Sequence, residues 1–192
     1  SDDYLVDTAI EKVISAWDEW RDEPGIAGIV ALKGKNGSEP LNRRFPKEIK
    51  TTKVYDLYNR YHFIGDAEMI YRTAILKEYP YEIAEGENFI AESYAFLKID
   101  DAYDLAVLDS VVMVCEYLSD GYTRSTRKVA RENPRGYMKV KKLYLERATN
   151  VRDRFESCTL YLVGAYFAHE FWRAMRGISN PLLALTSGFV AV

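Results

Sequence analysis

The sequence has little of several residue types that would define a class of protein. Two cysteines among 192 residues, Cys115 and Cys158, are too few for a disulfide framework, which favours a reducing compartment. The two histidines, His62 and His169, lie too far apart for a local zinc motif. The longest apolar run, residues 160–168, is much shorter than the ~20 residues of a membrane-spanning helix.

Charge and composition exclude further classes. A net charge of −3 gives no overall attraction to nucleic acid, so we expect no nucleic-acid partner. A content of 48% hydrophobic residues is too high for a disordered chain. The start at Ser1 lacks the basic and apolar stretches of a signal peptide, and the end at Val192 is apolar. We interpret the chain as a cytoplasmic piece of a longer protein.

Residue periodicity predicts an α/β front followed by a helical tail. Apolar residues recur at helical spacing over 4–21, where Asp3 is a plausible N-cap, and residues 26–32 are typical of a strand. Asn36-Gly37 predicts a hairpin with a partner strand over 39–43. Further helices are predicted over 51–60 (capped by Thr51 or Thr52), 72–79, 86–94, 125–132, 138–148 and 151–175, with strands within 64–71 and 103–118.

The acidic start offers a candidate metal site. Asp2 and Asp3 are adjacent carboxylates, and carboxylate oxygens are hard ligands suited to Mg²⁺ or Mn²⁺. Acidic residues ahead of a helix also serve as caps that interact with the helix dipole. Both interpretations stay open on the residues alone.

Two further acidic segments offer candidates for proton transfer and substrate binding. Glu85 and Glu87 flank Gly86 at a predicted helix start, where a carboxylate facing a cleft is a potential general base. The alternative is a capping carboxylate in the first helical turn. Gly65-Asp66 is typical of a turn, and Asp66 is then a solvated turn residue.

Basic residues gather after the Asp120-Gly121 turn. Arg124 and Arg127, with Lys128 and Arg131, are suited to clamping a diphosphate, and the alternative is a basic helix face in water. His169 lies in an apolar, aromatic segment without a second ligand nearby, which predicts a packed or hydrogen-bonded side chain.

Taken in order, several motifs together resemble the second half of bacterial family 2 glycosyltransferases of the GT-A fold. That family has Asp-x-Asp-Asp at a strand end, a Gly-Glu helix start and Glu-Tyr-x-x-Asp-Gly at a later strand end. The resemblance covers most of residues 1–140. The matching segments are Ser1-Asp2-Asp3-Tyr4-Leu5, Phe45-Pro46, Gly65-Asp66, residues 71–80, Glu85-Gly86-Glu87-Asn88-Phe89-Ile90 and residues 116–123.

The resemblance implies an inverting glycosyltransferase that moves a sugar from a nucleotide-diphosphate donor to a hydroxyl of a glycan or lipid-linked acceptor, in cell-surface polysaccharide synthesis. It implies that Asp2, supported by Asp3, binds Mn²⁺ or Mg²⁺. It also implies that Glu87 is the base, with Glu85 as the second choice, and that Asp66 lies near the acceptor pocket. The family's nucleotide-binding half precedes these motifs, so the chain given is expected to be inactive alone.

The resemblance also implies two parts: the acceptor-side half of a GT-A-like mixed sheet with flanking helices over 1–122, and a helical extension over 123–192. The apolar, aromatic segment 160–175, with arginines near its ends, is either a helix on an anionic membrane surface or a core or homodimer helix. The expected location is the cytoplasm, at the inner face of the membrane. The rival hypothesis is a non-catalytic domain that binds partners through this aromatic tail.

Overall fold

The computed structural model describes residues 3–115 and 126–191. Its contacts divide the chain into two units, which we describe separately. The sheet unit comprises residues 1–80 and 96–118, and the helical unit comprises residues 81–95 and 119–192. The predicted boundary at 122/123 lies outside the described residues.

A mixed sheet forms the centre of the sheet unit. Its strand order is β1-β5-β2-β4, and β3 pairs with β5. The long strands β2 and β5 run parallel, and the other pairs are antiparallel. The five strands are β1 (Tyr4–Leu5), β2 (Ile26–Gly34), β3 (Thr51–Thr52), β4 (Ala67–Tyr71) and β5 (Asp104–Val114).

The apolar run of β2 makes it the inner strand, buried on both faces. Successive side chains alternate, so Val30 and Leu32 pack into one apolar cluster and Ile29 and Ala31 into another. Gly28 is required here, because a Cβ at this position would lie 1.9 Å from the carbonyl oxygen of Ile70. The predicted strand over 26–32 is therefore confirmed.

Three helices belong to the sheet unit: α1 (Ala9–Trp20), α2 (Val54–Asn59) and α3 (Thr73–Glu78). A fourth, α4 (Ser93–Ile99), contributes residues to both units. The prediction that α1 begins at Tyr4 with Asp3 as its N-cap is wrong, because Tyr4 and Leu5 pair with β5. The chain is thus a mixed α/β protein, as predicted.

A buried carboxylate caps α2 from a distant part of the sequence. The backbone N–H groups of Val54 and Tyr55 donate to the carboxylate oxygens of Asp100, at 2.9 and 2.8 Å. The prediction that Thr51 or Thr52 caps this helix is wrong, since both lie in β3. Asp100 thereby satisfies two backbone donors that have no partner within the helix.

The helical unit consists mainly of α5 (Thr126–Glu132), α6 (Pro134–Arg147), α7 (Val151–Phe167), α8 (Phe171–Arg176) and α9 (Pro181–Ala191). Cys158, Leu162 and Ala174 are buried in its main apolar cluster. Gly164 of α7 allows close packing, because a Cβ there would lie 2.8 Å from the Cγ of Met138 in α6. Within the part of the chain that the structure describes, no helix has the length and apolarity needed to cross a membrane.

Four local predictions are wrong, each for a physical reason. Residues 39–43 do not form the predicted strand. Pro40 makes a single bridge to Gly34, and the ladder does not continue because proline has no N–H. The helix predicted over 138–148 begins four residues earlier, at Pro134, since the first helical position needs no N–H. The predicted helix over 86–94 begins only at Ser93, and the helix over 151–175 is interrupted at 168–170.

Candidate functional site

The strand register of the sheet unit brings four chain segments together at one end of the sheet. Tyr4 and Gly34 both pair with Val114, so the residues around them lie at the carboxyl ends of parallel β2 and β5. Ala67 pairs with Leu32, which places the start of β4 at the same end. We call the polar side chains gathered there the sheet-end cluster: Asp3, Lys33, Asp66, Glu68 and Cys115.

Lys33 is the cation of this cluster. Its Nζ lies 3.3 Å from Oδ2 of Asp66 and 3.5 Å from Oε2 of Glu68, and only 17% of the side chain is exposed. Burial acts to lower the pKa of Lys33, but the two carboxylates outweigh it and raise the pKa above its ordinary value. Lys33 therefore remains charged and holds the two acidic side chains at the sheet end.

Cys115 connects Asp3 to the cluster. Burial and the hydrogen bond to the Asp3 carboxylate raise the pKa of the Cys115 thiol to about 11. The side chain is consequently a neutral thiol at physiological pH, and it donates to Asp3. Its backbone N–H donates to the carbonyl of Gly34 at 3.1 Å, which joins the ends of β5 and β2.

The turn at Gly65 determines the position of Asp66. Gly65 has a φ of 145°, and a Cβ there would lie 3.2 Å from the Cβ of Asn42, so the turn requires glycine. Asp66 is half-exposed and paired with Lys33. The structure therefore differs from the interpretation of Asp66 as only a solvated turn residue.

Of the predicted metal pair, Asp3 lies in the sheet-end cluster and is exposed, whereas Asp2 lies outside the described residues. Among residues 3–115 and 126–191, no group of three His, Cys, Asp or Glu side chains is arranged to hold a metal ion. Mg²⁺ commonly binds through one or two carboxylates together with substrate phosphates. The carboxylate of Asp3 is compatible with that kind of shared site.

Glu87, in the helical unit, caps α6. Its two carboxylate oxygens accept hydrogen bonds from the backbone N–H groups of Arg135 and Gly136, both at 2.7 Å. Gly136 allows this approach, since a Cβ there would lie 2.8 Å from the carbonyl oxygen of Phe89 and 3.1 Å from Oε2 of Glu87. Glu87 is thus a capping carboxylate, but for a helix 47 residues later in the sequence.

Asn133 makes the reciprocal contact. Its buried side-chain oxygen accepts from the backbone N–H groups of Asn88 and Phe89, at 2.9 and 3.0 Å. Together with Glu87 it fixes segment 87–89 to the start of α6. We call these four hydrogen bonds the α6 clamp.

The other predicted residues of the helical unit are not part of this clamp. Glu85 is exposed beside Gly86, whose φ is 80°. Arg127 is exposed on α5, and Arg124 lies outside the described residues. His169, predicted to be packed or hydrogen-bonded within a helix, is instead exposed in the interruption between α7 and α8, with a φ of 59°.

The sequence-based predictions missed four residues of these two sites: Lys33, Glu68, Cys115 and Asn133. A lysine at the end of an otherwise apolar strand was a detectable signal for Lys33. Asn133 directly before Pro134 is typical of a helix start. For Glu68 there was no such signal, because its contact with Lys33 depends on the strand register.

Comparison with known proteins adds no family assignment: no protein-family model, no curated protein and no solved structure matches this chain.

Proposed function

We propose that the chain is the acceptor-side part of an inverting glycosyltransferase of the GT-A type. It would transfer a sugar from a nucleotide-diphosphate donor to a hydroxyl of a glycan or lipid-linked acceptor. The order of the sequence motifs supports this proposal, and so does the sheet-end cluster. The mixed sheet with flanking helices is compatible with it.

The observation that most supports the proposal is the position of Asp3 and Asp66. Both belong to sequence motifs of the resemblance, 63 residues apart, and both lie in one cluster at the carboxyl ends of β2 and β5. Ligands of open α/β sheets bind outside the carboxyl ends of the parallel strands. A role in binding explains this convergence of acidic residues better than a role in solubility.

In this proposal Asp3, together with Asp2, would hold Mn²⁺ or Mg²⁺. A divalent cation offsets the negative charge that develops on a leaving diphosphate. Asp66 would accept a hydrogen bond from the acceptor hydroxyl. Lys33 would keep Asp66 in place, since its ammonium lies 3.3 Å from the carboxylate.

The proposed step is a direct displacement. The acceptor oxygen forms a bond to the anomeric carbon of the sugar as the bond from that carbon to the diphosphate oxygen breaks. The hydroxyl proton passes to a carboxylate base, and the nucleoside diphosphate leaves with the bonding electron pair. Glu87 and Glu85 stay the candidates for the base; the first is engaged in the α6 clamp and the second is exposed.

The test is a matched pair of variants in the protein produced from the complete gene. Asp66 and Asp109 each form an ion pair at 3.3 Å, and their side chains are 47% and 45% exposed. Release of nucleoside diphosphate from a panel of nucleotide sugars, with and without glycan acceptors, first identifies the donor. Asp66→Asn should then lower kcat/KM for the acceptor by about tenfold or more, the value of one or two lost hydrogen bonds, whereas Asp109→Asn should not. Equal losses in the two variants would contradict the proposed role of Asp66.

The second candidate function is a non-catalytic interaction domain. It is favoured by one observation, the exposed apolar side chains of α8 and α9, among them Trp172 and Phe189. A folded protein that releases no nucleoside diphosphate from any donor, with Mn²⁺ or Mg²⁺ present, would favour this candidate.

A further inference from the structure

The last two helices of the helical unit expose large apolar side chains on a common surface. Trp172 of α8 is 71% exposed and Phe189 of α9 is 90% exposed, and Leu182 and Leu185 are also exposed. We call these four residues the tail face. Soluble domains rarely leave so many large apolar side chains uncovered in one place, and such patches mark binding surfaces.

Basic residues outnumber acidic ones in the helices that carry the tail face. Residues 171–191 contain Arg173 and Arg176 and no aspartate or glutamate. Over residues 126–191 there are twelve lysines and arginines against five acidic residues, although the whole chain has a net charge of −3. Helices α5 to α9 are therefore basic overall, and α8 and α9 contain no acidic residue.

Two cavities lie against α8, and their linings differ. An apolar cavity of about 590 Å³ is lined by Trp172 and Met175 of α8 and by Leu185 and Phe189 of α9. A cavity of about 480 Å³ is lined by Arg173 of the same helix and by basic residues of α6, which are Arg135, Lys139 and Lys142. Space for apolar groups and space for anionic groups thus lie side by side.

The cations of the second cavity form partly exposed ion pairs, and Lys139 also donates to the backbone carbonyl of Glu82 at 2.8 Å. Arg135 and Arg173 share one carboxylate, that of Glu170, at 3.1 and 3.4 Å. Lys139 lies 3.6 Å from Glu82, and Lys142 lies 3.8 Å from Glu146. The Lys142–Glu146 pair is exposed on both sides, and such pairs contribute little stability, so an incoming phosphate can replace it at small cost.

From these observations we propose that the tail face binds the surface of an anionic phospholipid bilayer. The apolar side chains of the tail face enter the boundary between head groups and acyl chains, and the basic cavity takes lipid phosphates. Tryptophan is enriched at this depth of a bilayer, and basic residues near an anionic surface add to the affinity. The proposal does not depend on the glycosyltransferase activity.

Charge complementarity favours a lipid surface over a second copy of the chain. A two-fold contact through the tail face would bring the same patch of both copies together. Each copy would bring Arg173 and Arg176 to the shared interface, and the accumulation of positive charge there would oppose association. An anionic lipid surface supplies the opposite charge.

Vesicle sedimentation with the 192-residue chain tests the apolar part. Phosphatidylcholine vesicles with phosphatidylglycerol should bind the chain, and Leu185→Ser/Phe189→Ser should weaken binding by about tenfold or more, since two large side chains no longer enter the apolar layer. The matched control is Ile10→Ser/Ile14→Ser, which removes two exposed isoleucines from α1. Circular dichroism melts establish that the variants are folded.

The charge part is tested with Lys139→Gln/Arg173→Gln. This variant should lose about fivefold in binding for each cation removed, and only with phosphatidylglycerol present. Lys47→Gln/Lys50→Gln removes the same charge from exposed positions in the sheet unit and should bind like the wild type. Fluorescence quenching by brominated lipids should disappear in Trp172→Phe, since Trp17 and Trp20 lie in α1.

Three results would overturn the proposal. The first is that the folded chain does not bind the vesicles. If the chain is instead a dimer that Leu185→Ser/Phe189→Ser dissociates, the tail face binds a second copy. The second is equal binding to vesicles with and without phosphatidylglycerol. The third is equal loss of binding in the tail-face variants and in their controls.

Discussion

Replacing Glu87 separates its structural role in the α6 clamp from a role in proton transfer. The structural role is measured first, with Glu87→Ala. This variant removes both acceptors of the N–H groups of Arg135 and Gly136, each at 2.7 Å. A hydrogen bond to a charged group contributes about 1.5–3 kcal/mol, but these donors are partly accessible and water replaces part of the loss. Loss of an N-cap costs about 0.5–2 kcal/mol, so we expect the free energy of unfolding to fall by about 2 kcal/mol.

Glu85→Ala is the matched control, because it removes the same charge two residues earlier from an exposed position. Urea unfolding, followed by far-UV circular dichroism, gives the free energies. Asn133→Ala adds a double-mutant cycle: because both residues fix segment 87–89 to α6, the two losses should not add, with a coupling of about 0.5–3 kcal/mol. Equal stability of Glu87→Ala and Glu85→Ala, or full additivity in the cycle, would refute the clamp.

Glu87→Gln then tests proton transfer in the protein produced from the complete gene. Glutamine keeps one acceptor oxygen for the clamp, so most of the stability should remain, while a general base would be lost and turnover would fall about 10²–10⁴-fold. A purely structural Glu87 predicts near-normal turnover below the melting temperature. If Glu85→Gln alone is inactive, the base is Glu85; normal turnover in both variants ends the catalytic hypothesis for this segment.

Three further predictions concern the sheet unit. Asp100→Ala should lower the free energy of unfolding by about 3 kcal/mol, since two buried N–H groups lose their acceptor; a urea midpoint equal to that of the wild type would contradict this. Gly28→Ala should prevent folding or yield only aggregated protein, because its Cβ would lie 1.9 Å from the Ile70 carbonyl oxygen. If the variant unfolds cooperatively at the melting temperature of the wild type, the spacing of β2 and β4 is wrong. Lys33→Met should be less stable than the wild type near pH 7, and the difference should narrow as pH rises through the raised pKa of Lys33, where the wild type loses the stabilising charge. A stability difference between the wild type and Lys33→Met that widens above pH 10 would contradict the raised pKa of Lys33.

The longer strands of the sheet could be predicted from sequence, but its two-residue strands could not. The apolar run over 26–32 is long enough to identify a buried strand, and so is the run that forms Asp104–Val114. The edge strands Tyr4–Leu5 and Thr51–Thr52 contain two residues each, too few for any periodicity. Their pairing with β5 is what determines them.

The candidate site was predictable to a similar extent. Asp3 and Asp66 were identified because each belongs to a recognisable local pattern. Lys33 and Glu68 were not, since their contact requires the antiparallel register of β2 and β4, in which Ala31 pairs with Glu68. A local pattern indicates which residue is unusual, and the register determines which residues meet.

Helix capping in this protein shows why the local rule for acidic residues failed at Glu87. The rule assigns an acid to the helix that follows it, but Asp100 and Glu87 cap helices separated from them by 45–49 residues. In both cases the two oxygens of one carboxylate accept from two consecutive N–H groups, at 2.7–2.9 Å. For α6 these are the first available donors, since Pro134 has none. Segment 87–92 has no helix of its own to cap, and the N–H groups of Asn88 and Phe89 are bound by Asn133. Glu87 accepts from the first N–H groups of α6, and Asn133, at the start of α6, accepts from the N–H groups of Asn88 and Phe89. Each pair of hydrogen bonds therefore holds the two segments where the other pair needs them.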